Sequence, residues 1–165
     1  VLGSDGAWFP LLQERQVGLA PLQASNCGFD VRVNNHTGWS HFFADKFAGM
    51  PLKHVAVNGN VGECVVTETG IEGGLVYALS ASFRDTIARE GSAVLMLDLA
   101  PGHREINLRK ALEKPRGKRS ASEHLRRCTG IDGVKSALLR EHFSIDVFND
   151  MQQLAAAIKA VVSRL

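Results

Sequence analysis

A group of glycines after a β-branched run is the part of this sequence best suited to bring backbone close to a ligand. Residues 62–74 read GECVVTETGIEGG, and the run at 65–67 favours an extended backbone. Gly70 and Gly73 permit a positive φ, or a close backbone approach that a side chain would block. The same pattern is also typical of a tight strand-to-helix turn without any chemical role, so both interpretations stay open.

Other residues that could do chemistry do not fall into a productive spacing. The six histidines include no i,i+4 pair beside a glutamate, and the three cysteines include no CxxC motif. No G-x-S-x-G segment marks a nucleophilic serine. The sequence therefore predicts no catalytic residues and no metal ligands. Three scattered cysteines are typical of free, mostly buried thiols in a reducing compartment.

The composition predicts a soluble globular protein. Of the 165 residues, 45% are hydrophobic and 22% are charged, which is ordinary for that class. No apolar run approaches the roughly 18 residues of a membrane span. The start of the chain has no basic region ahead of an apolar one, as a signal peptide would. These features predict a cytoplasmic protein without a membrane partner.

Positive charge is concentrated between residues 104 and 127. Nine Lys or Arg and three Glu give this stretch a charge of +6, whereas the whole chain carries +2. The loop 115–119 lies just before Ser120, and Ser120 with Glu123 forms a capping box at a helix start. Such a loop could bind one small anion or stay solvated. Nucleic-acid binding is the less favoured alternative, because the stretch contains no aromatic residue.

The elements that must position these groups are strands first and helices later. The segments 52–57 and 63–67 read as the strands of a hairpin, because Asn58-Gly59-Asn60 tolerates the positive φ of primed turns. Alternation predicts another strand from Phe29 to Val33, and the apolar run 94–99 predicts a buried strand. A helix is expected over 75–90, between the hairpin and the run 94–99.

The second half of the sequence reads as helical. Apolar residues at helical spacing predict helices before Pro115 and after Ser120, Asp132 and Asp150. Each of the last three residues is a candidate N-cap. Strands followed by helices indicate an α+β fold.

The glycine-containing segment resembles a family signature. Residues 62–73 fit the pattern G-E-x-x-x-T-x-x-G-[hydrophobic]-x-G, which is similar to the insert domain of the HI0933-like flavoproteins, a family of FAD-dependent oxidoreductases. The segment LKHVAV before it and the basic stretch from PRGKRS to HLRR after it also look like members of this group. The resemblance therefore covers most of the chain.

The resemblance implies a small antiparallel β-barrel (a meander) followed by a helical subdomain, and a strongly curved sheet is the alternative to the barrel. Residues 1–22 would be a remnant of the edge of the flavin-binding domain, 23–102 the barrel with one helix, and 103–165 the helical subdomain. The chain has no G-x-G-x-x-G after a strand, which is the dinucleotide-binding fingerprint. It therefore looks like a fragment of a longer enzyme.

By this resemblance, the chain would be an insert or lid that covers the flavin and shapes the substrate site without being catalytic alone. FAD would belong to the intact protein, with NAD(P)H as a candidate reductant, and no cofactor is expected in this fragment. The expected partners are the missing flavin-binding domain of the same chain and a small-molecule substrate. GSDG near the start resembles a family loop close to the flavin. The candidate cofactor-binding residues are Gly3, Ser4, Asp5, Gly6, Gly70 and Gly73. The alternative is a non-enzymatic nucleic-acid-binding module that uses the basic helices.

Overall fold

The fold combines one antiparallel sheet with helices. The computed structural model describes residues 5–34 and 36–165. The helices in this part are α1 (Trp8–Glu14), α2 (His41–Phe47), α3 (Gly74–Glu90), α4 (Glu105–Leu112), α5 (Ala121–Thr129), α6 (Gly133–His142), α7 (Ile145–Asn149) and α8 (Met151–Lys159). The strands are β1 (Phe29–Asp30), β2 (Arg32–Val33), β3 (His36–Thr37), β4 (Pro51–Val57), β5 (Asn60–Val66), β6 (Gly70–Glu72), β7 (Val94–Asp98) and β8 (Val161–Arg164). The predicted α+β class is confirmed.

The sheet is open and does not close into a barrel. Its order is β1-β6-β5-β4-β7-β8-β2-β3, and neighbouring strands are antiparallel. Nevertheless, β1 and β2 stand towards opposite ends of this order and are separated in sequence by Val31 alone. In a flat sheet roughly 29 Å would separate them, at about 4.8 Å per strand. The sheet must therefore curl until its two sides come close together.

The predicted strand from Phe29 to Val33 is broken at its centre. Val31 leaves the ladder, and its N–H donates to Thr69 O at 3.0 Å while its carbonyl accepts from Gly38 N at 2.7 Å. Its side chain is fully buried. The alternating sequence predicts the extended backbone correctly. The interruption arises because the two halves of the segment pair with opposite sides of the curled sheet.

The β4–β5 hairpin confirms the turn expected at Asn58 and Gly59. Both residues have positive φ, 51° and 80°, and Val57 lies opposite Asn60 in the ladder. Positive φ at two consecutive residues is the requirement of a type I′ turn, whose twist matches that of the strands. Local sequence therefore predicts this register.

The strand β7 is buried on one face only, contrary to the expectation of a buried strand. Leu95 and Leu97 are fully buried, whereas Val94 and Met96 are 60% and 46% exposed. A run of apolar residues does not show whether one or both faces of a strand are covered. Only the helices that pack on the sheet decide this.

One hydrophobic core connects strands and helices from both halves of the chain. It includes Leu52 and Leu95 on the sheet as well as Leu138 and Ile158 on α6 and α8. The last strand, β8, belongs to the expected helical subdomain but pairs with β7. The division at residues 22 and 102 stays a prediction.

Two of the three predicted helix caps are formed by side chains. Ser120 Oγ accepts from Glu123 N at 3.2 Å, and Asp150 Oδ1 accepts from the amides of Gln152 and Gln153. These hydrogen bonds lower the pKa of the Asp150 carboxyl. Asp132 occupies the N-cap position of α6, but its side chain makes no capping hydrogen bond. Within the described residues, no helix combines the length and apolarity that a bilayer crossing requires.

Candidate functional site

The glycine corner, residues 62–74, joins β5 and β6 to the start of α3, and its first critical position is Gly70. A Cβ at Gly70 would lie 1.9 Å from Phe29 O and 2.7 Å from Asp30 Cα on the neighbouring β1. The Gly70 amide donates to Thr67 Oγ1 at 2.9 Å, and its carbonyl accepts from Trp39 Nε1 at 3.2 Å. No side chain fits at this position because the strand β1 occupies its place.

Gly73 is constrained by its own backbone as well as by a neighbour. It is the N-cap residue of α3 with φ 101°, and a Cβ there would lie 3.2 Å from Cα of Cys64. The prediction that Gly70 or Gly73 has positive φ or a close backbone approach is therefore confirmed. Both constraints come from the domain itself. Contact between these two glycines and a flavin stays a prediction.

The predicted flavin-facing turn at the start of the chain lies partly outside the described residues, since Gly3 and Ser4 are not among them. Asp5 Oδ1 accepts from Ala7 N at 3.0 Å, and Gly6 has φ 77° with Leu22 close to its Cβ position. The first contact belongs to a local turn before α1, and the second joins this turn to the segment after α1. They do not join Asp5 or Gly6 to the glycine corner.

The helix α1 that follows this turn contains no buried residue. The N-terminal segment, residues 5–22, nevertheless exposes Trp8, Leu11, Val17 and Leu22, with Leu11 at 62%. These four side chains form the apolar surface of this segment in the described structure. Among the regions that the sequence analysis linked to the flavin, this segment is the least packed.

The basic stretch from 104 to 127 is spread over α4, the following loop and α5. The loop makes few contacts of its own: Arg119 Nη1 donates to Arg116 O at 3.3 Å, while Arg116 and Lys118 are exposed. Arg109 on α4 forms an ion pair with Glu113 at 3.2 Å. The choice between a small-anion site and a solvated loop stays open.

An aromatic cavity of about 590 Å³ between α2, α5 and α6 was not foreseen from the sequence. Its aromatic side includes Phe42, which is 69% exposed, and the Lys46 ammonium lies 5.5 Å from the centre of that ring. Arg126 and Arg140 also line it, together with three carboxylates. The balance of charges gives this cavity no preference for anions or cations. The phenylalanines on α2 are the residues that could have indicated the cavity. The helices α5 and α6 that complete it begin about 80 residues further along the chain.

The family relationship follows from comparison with known proteins. Residues 23–165 match the family model described as the HI0933-like protein barrel and H2TH domain. The chain belongs to the HI0933-like family. The match covers the sheet and all the helices after α1, and it confirms the family that the glycine signature indicates. No curated protein matches the chain significantly.

The HI0933-like family is associated with FAD-dependent proteins. The matched region of this chain begins at residue 23, so the N-terminal segment with its exposed apolar side chains precedes it. The described residues contain no group of three or more His, Cys, Asp or Glu placed to hold a metal ion. The titratable side chains described next make contacts within this HI0933-like domain.

Half-buried His142 connects α6 to the last strand. Its Nδ1–H donates to Leu138 O at 2.9 Å, because a carbonyl can only accept, and Nε2 therefore accepts from the Ser163 hydroxyl at 2.7 Å. Burial lowers the pKa of His142, although the Leu138 hydrogen bond and Glu141 oppose this. Burial therefore favours the neutral imidazole, the form in which Nε2 can accept this hydrogen bond.

Burial holds Cys64 in its thiol form, and Lys135 makes hydrogen bonds within the domain. Burial, followed by the nearby Glu63 charge, raises the pKa of Cys64 to about 12, so its thiolate is not populated at neutral pH. Lys135 donates to His54 O at 3.0 Å and Leu99 O at 2.7 Å. Burial lowers the pKa of Lys135, although the nearby charges of Asp98 and Asp132 oppose this. Lys135 thus links α6 to β4 at His54, where the pairing of β4 with β5 is irregular.

Proposed function

We propose that this chain is the insert domain of a FAD-dependent oxidoreductase, where it covers the flavin and shapes the substrate site without redox chemistry of its own. The HI0933-like family match over residues 23–165 carries this proposal. The flavin-binding domain of the same polypeptide is the expected partner, and a small molecule is the expected substrate.

The exposed N-terminal segment supports a partner domain on that side. Leu11 and Leu22 are each 62% exposed on a helix and loop that bury nothing in the described structure. Covering a leucine stabilises a complex by about 1.5–3 kcal/mol. The flavin-binding domain is the body that the family relationship supplies to cover it.

The glycine corner supports an insert rather than a complete flavin site. A dinucleotide site needs a glycine-rich turn after a strand, with the pyrophosphate at a helix N-terminus. Gly70 and Gly73 lie between strand and helix, but β1 and Cys64 fill the space beside them. We therefore expect the isolated chain to be colourless and to leave FAD fluorescence unchanged at micromolar concentration. A yellow, stoichiometric FAD complex of these 165 residues would contradict the proposal.

The covering role is tested in the full-length gene product that contains this chain. Replacing residues 23–165 by a short Gly-Ser linker should leave FAD bound but make its fluorescence more sensitive to quenching by iodide. Turnover should be lost at the same time. Unchanged iodide quenching in a variant that retains FAD would show that the domain does not cover the flavin.

A pair of point variants tests the partner surface in the same full-length protein. Leu11→Asp places a charge on the exposed segment and should increase iodide quenching. Ile145→Asp is the matched control, because Ile145 is 70% exposed on a different helix. If both substitutions had equal effects, the N-terminal segment would not be part of the partner surface.

The nucleic-acid alternative predicts a different result for the isolated chain. The chain would be titrated with duplex DNA and single-stranded RNA at low and physiological salt. Weak binding that disappears at physiological salt is the behaviour of any basic surface. Micromolar or tighter binding that persists at physiological salt would favour the nucleic-acid-binding module instead.

A further inference from the structure

Two arginines face each other across the β2–β8 ladder. Arg32 is the register partner of Arg164, and both are exposed, so their side chains project from the same face of the sheet. Directly opposite side chains have Cβ atoms about 4.5–5.5 Å apart, and like charges at that spacing destabilise a sheet. The arginine pair, Arg32 and Arg164, is therefore an unfavourable arrangement unless something else compensates it.

Nothing in the described protein compensates the arginine pair. The strand neighbours that continue the row are Val94 opposite Arg164 and Thr37 opposite Arg32, neither of which is acidic. Of the four ion pairs between described residues, none includes Arg32 or Arg164. Both guanidinium groups thus keep their donors available.

The arginine pair lines a pocket without acidic side chains. The pocket has a volume of about 420 Å³, and its lining residues are Arg32, Asn34, Val162, Ser163 and Arg164. Glu141 contacts this lining through its backbone, since its carbonyl accepts from Asn34 Nδ2 at 3.2 Å. Its carboxylate, however, accepts from the Ser40 amide and hydroxyl. The pocket therefore has a charge of +2 and polar walls.

The charge and the number of donors of the arginine pair favour a tetrahedral dianion over a carboxylate. A guanidinium presents paired N–H donors that match two oxygens of one anion. A carboxylate has only two oxygens, whereas a phosphate group has enough acceptors for both arginines and a charge of −2 to balance them. We propose that Arg32 and Arg164 together bind a dianionic phosphate group, as in inorganic phosphate or a phosphate monoester. This site is independent of the flavin-covering role proposed above.

The test is a titration of the 165-residue chain followed by the arginine Nε–H signals in ¹H–¹⁵N NMR spectra. Inorganic phosphate and glycerol 3-phosphate are titrated separately, which distinguishes free phosphate from a monoester as the preferred ligand. We expect saturable shifts of the signals that disappear in Arg32→Gln and Arg164→Gln. Each of these substitutions should weaken binding at least tenfold.

Arg127→Gln is the matched control, because it removes the same charge from an exposed position on α5. It should change phosphate affinity less than twofold. Arg164→Lys keeps the charge but loses the paired donors, so it should weaken binding by an intermediate factor. Equal losses in the Arg127 and Arg164 variants would overturn the proposal, as would the absence of saturable shifts.

The charge of the ligand gives a second readout. A phosphate monoester loses its second proton with a pKa of about 6. Affinity should therefore be several-fold higher at pH 7.5 than at pH 5, and chloride should compete poorly. Affinity that does not change over this range would refute a dianion site. An oligonucleotide that binds at least 100-fold more tightly than phosphate, and depends on Arg164, would replace the small-anion site by a nucleic-acid surface.

Discussion

The glycine corner and the N-terminal segment both contain candidate flavin-binding residues, but the fold uses the two regions in different ways. In the corner, Gly70 and Gly73 meet the backbone of neighbouring strands at 1.9 Å and 3.2 Å from their Cβ positions. In the N-terminal segment, α1 buries no residue. The comparison teaches that glycines in a motif need not contact a ligand, since the packing of the domain can itself require them.

The largest expected effect is that of Gly70→Ala on the isolated chain. Its methyl group would overlap Phe29 O, and backbone atoms on both strands would have to move. We expect the free energy of unfolding to fall by about 3 kcal/mol or more. Urea unfolding followed by circular dichroism measures this. Gly18→Ala is the control from the N-terminal segment, because its Cβ position is open and its φ is not positive. A loss at Gly70 as small as that at Gly18 would end the packing explanation.

Gly73→Ala tests the same corner at its second constraint. An alanine would have to adopt φ 101° and approach Cα of Cys64, so we expect a loss of about 1–3 kcal/mol in the free energy of unfolding. Gly74→Ala next to it is the matched control, since nothing lies within 4 Å of its Cβ position. This control should be neutral or slightly stabilising at a helix start. A neutral Gly73 variant would show that the corner can relax.

The half-buried imidazole of His142 makes the packed part of the domain sensitive to pH. The pKa of His142 is lowered in the folded state, so the unfolded chain binds this proton more readily. The contribution to stability is present above the unfolded pKa of about 6.5 and is lost as the pH falls below it. Urea unfolding at pH 7.5 and pH 5 should show this decrease for the native chain. His142→Gln should lose about 1 kcal/mol at pH 7.5 and show a smaller decrease with pH. The same pH dependence in both proteins would assign it to other groups.

The smallest expected effect is that of Leu11→Ala on the isolated chain. The side chain is 62% exposed, and its helix has no buried residue, so the free energy of unfolding should change by less than about 0.5 kcal/mol. Leu138→Ala on α6 is the reference, because Leu138 is fully buried and should lose about 2–5 kcal/mol. A loss above about 1 kcal/mol for Leu11 would mean that the N-terminal segment packs on the domain in solution, and it would then not be available to a partner.

Features that depend on a few adjacent residues could be predicted from the sequence. The type I′ turn at Asn58-Gly59 and the Ser120 and Asp150 caps follow from the conformational preferences of single residues. The helix expected over 75–90 is α3, one residue longer at its start, and it ends at Gly91 with φ 78°. That a side chain would not fit at Gly70 or Gly73 could also be predicted from the residue type. That β1 and Cys64 are the neighbours that exclude it could not be predicted.

Features that depend on pairing between distant segments could not be predicted. The break at Val31, the one-sided burial of β7 and the aromatic cavity each result from elements that are far apart in sequence. The predicted capping role of Asp132 is also wrong. Its residue type suits an N-cap, but the side-chain oxygen does not reach the amides of α6.

The sequence by itself determined the α+β class, the hairpin, most helix positions and the HI0933-like family, because each follows from local preferences or from a motif read along the chain. Only the tertiary structure decided that the sheet stays open, that β8 joins it from the far end of the chain, and that Arg32 lies opposite Arg164. Strand register between segments 132 residues apart is set by which faces become buried together. That burial is a property of the whole packed chain, so no local pattern contains it.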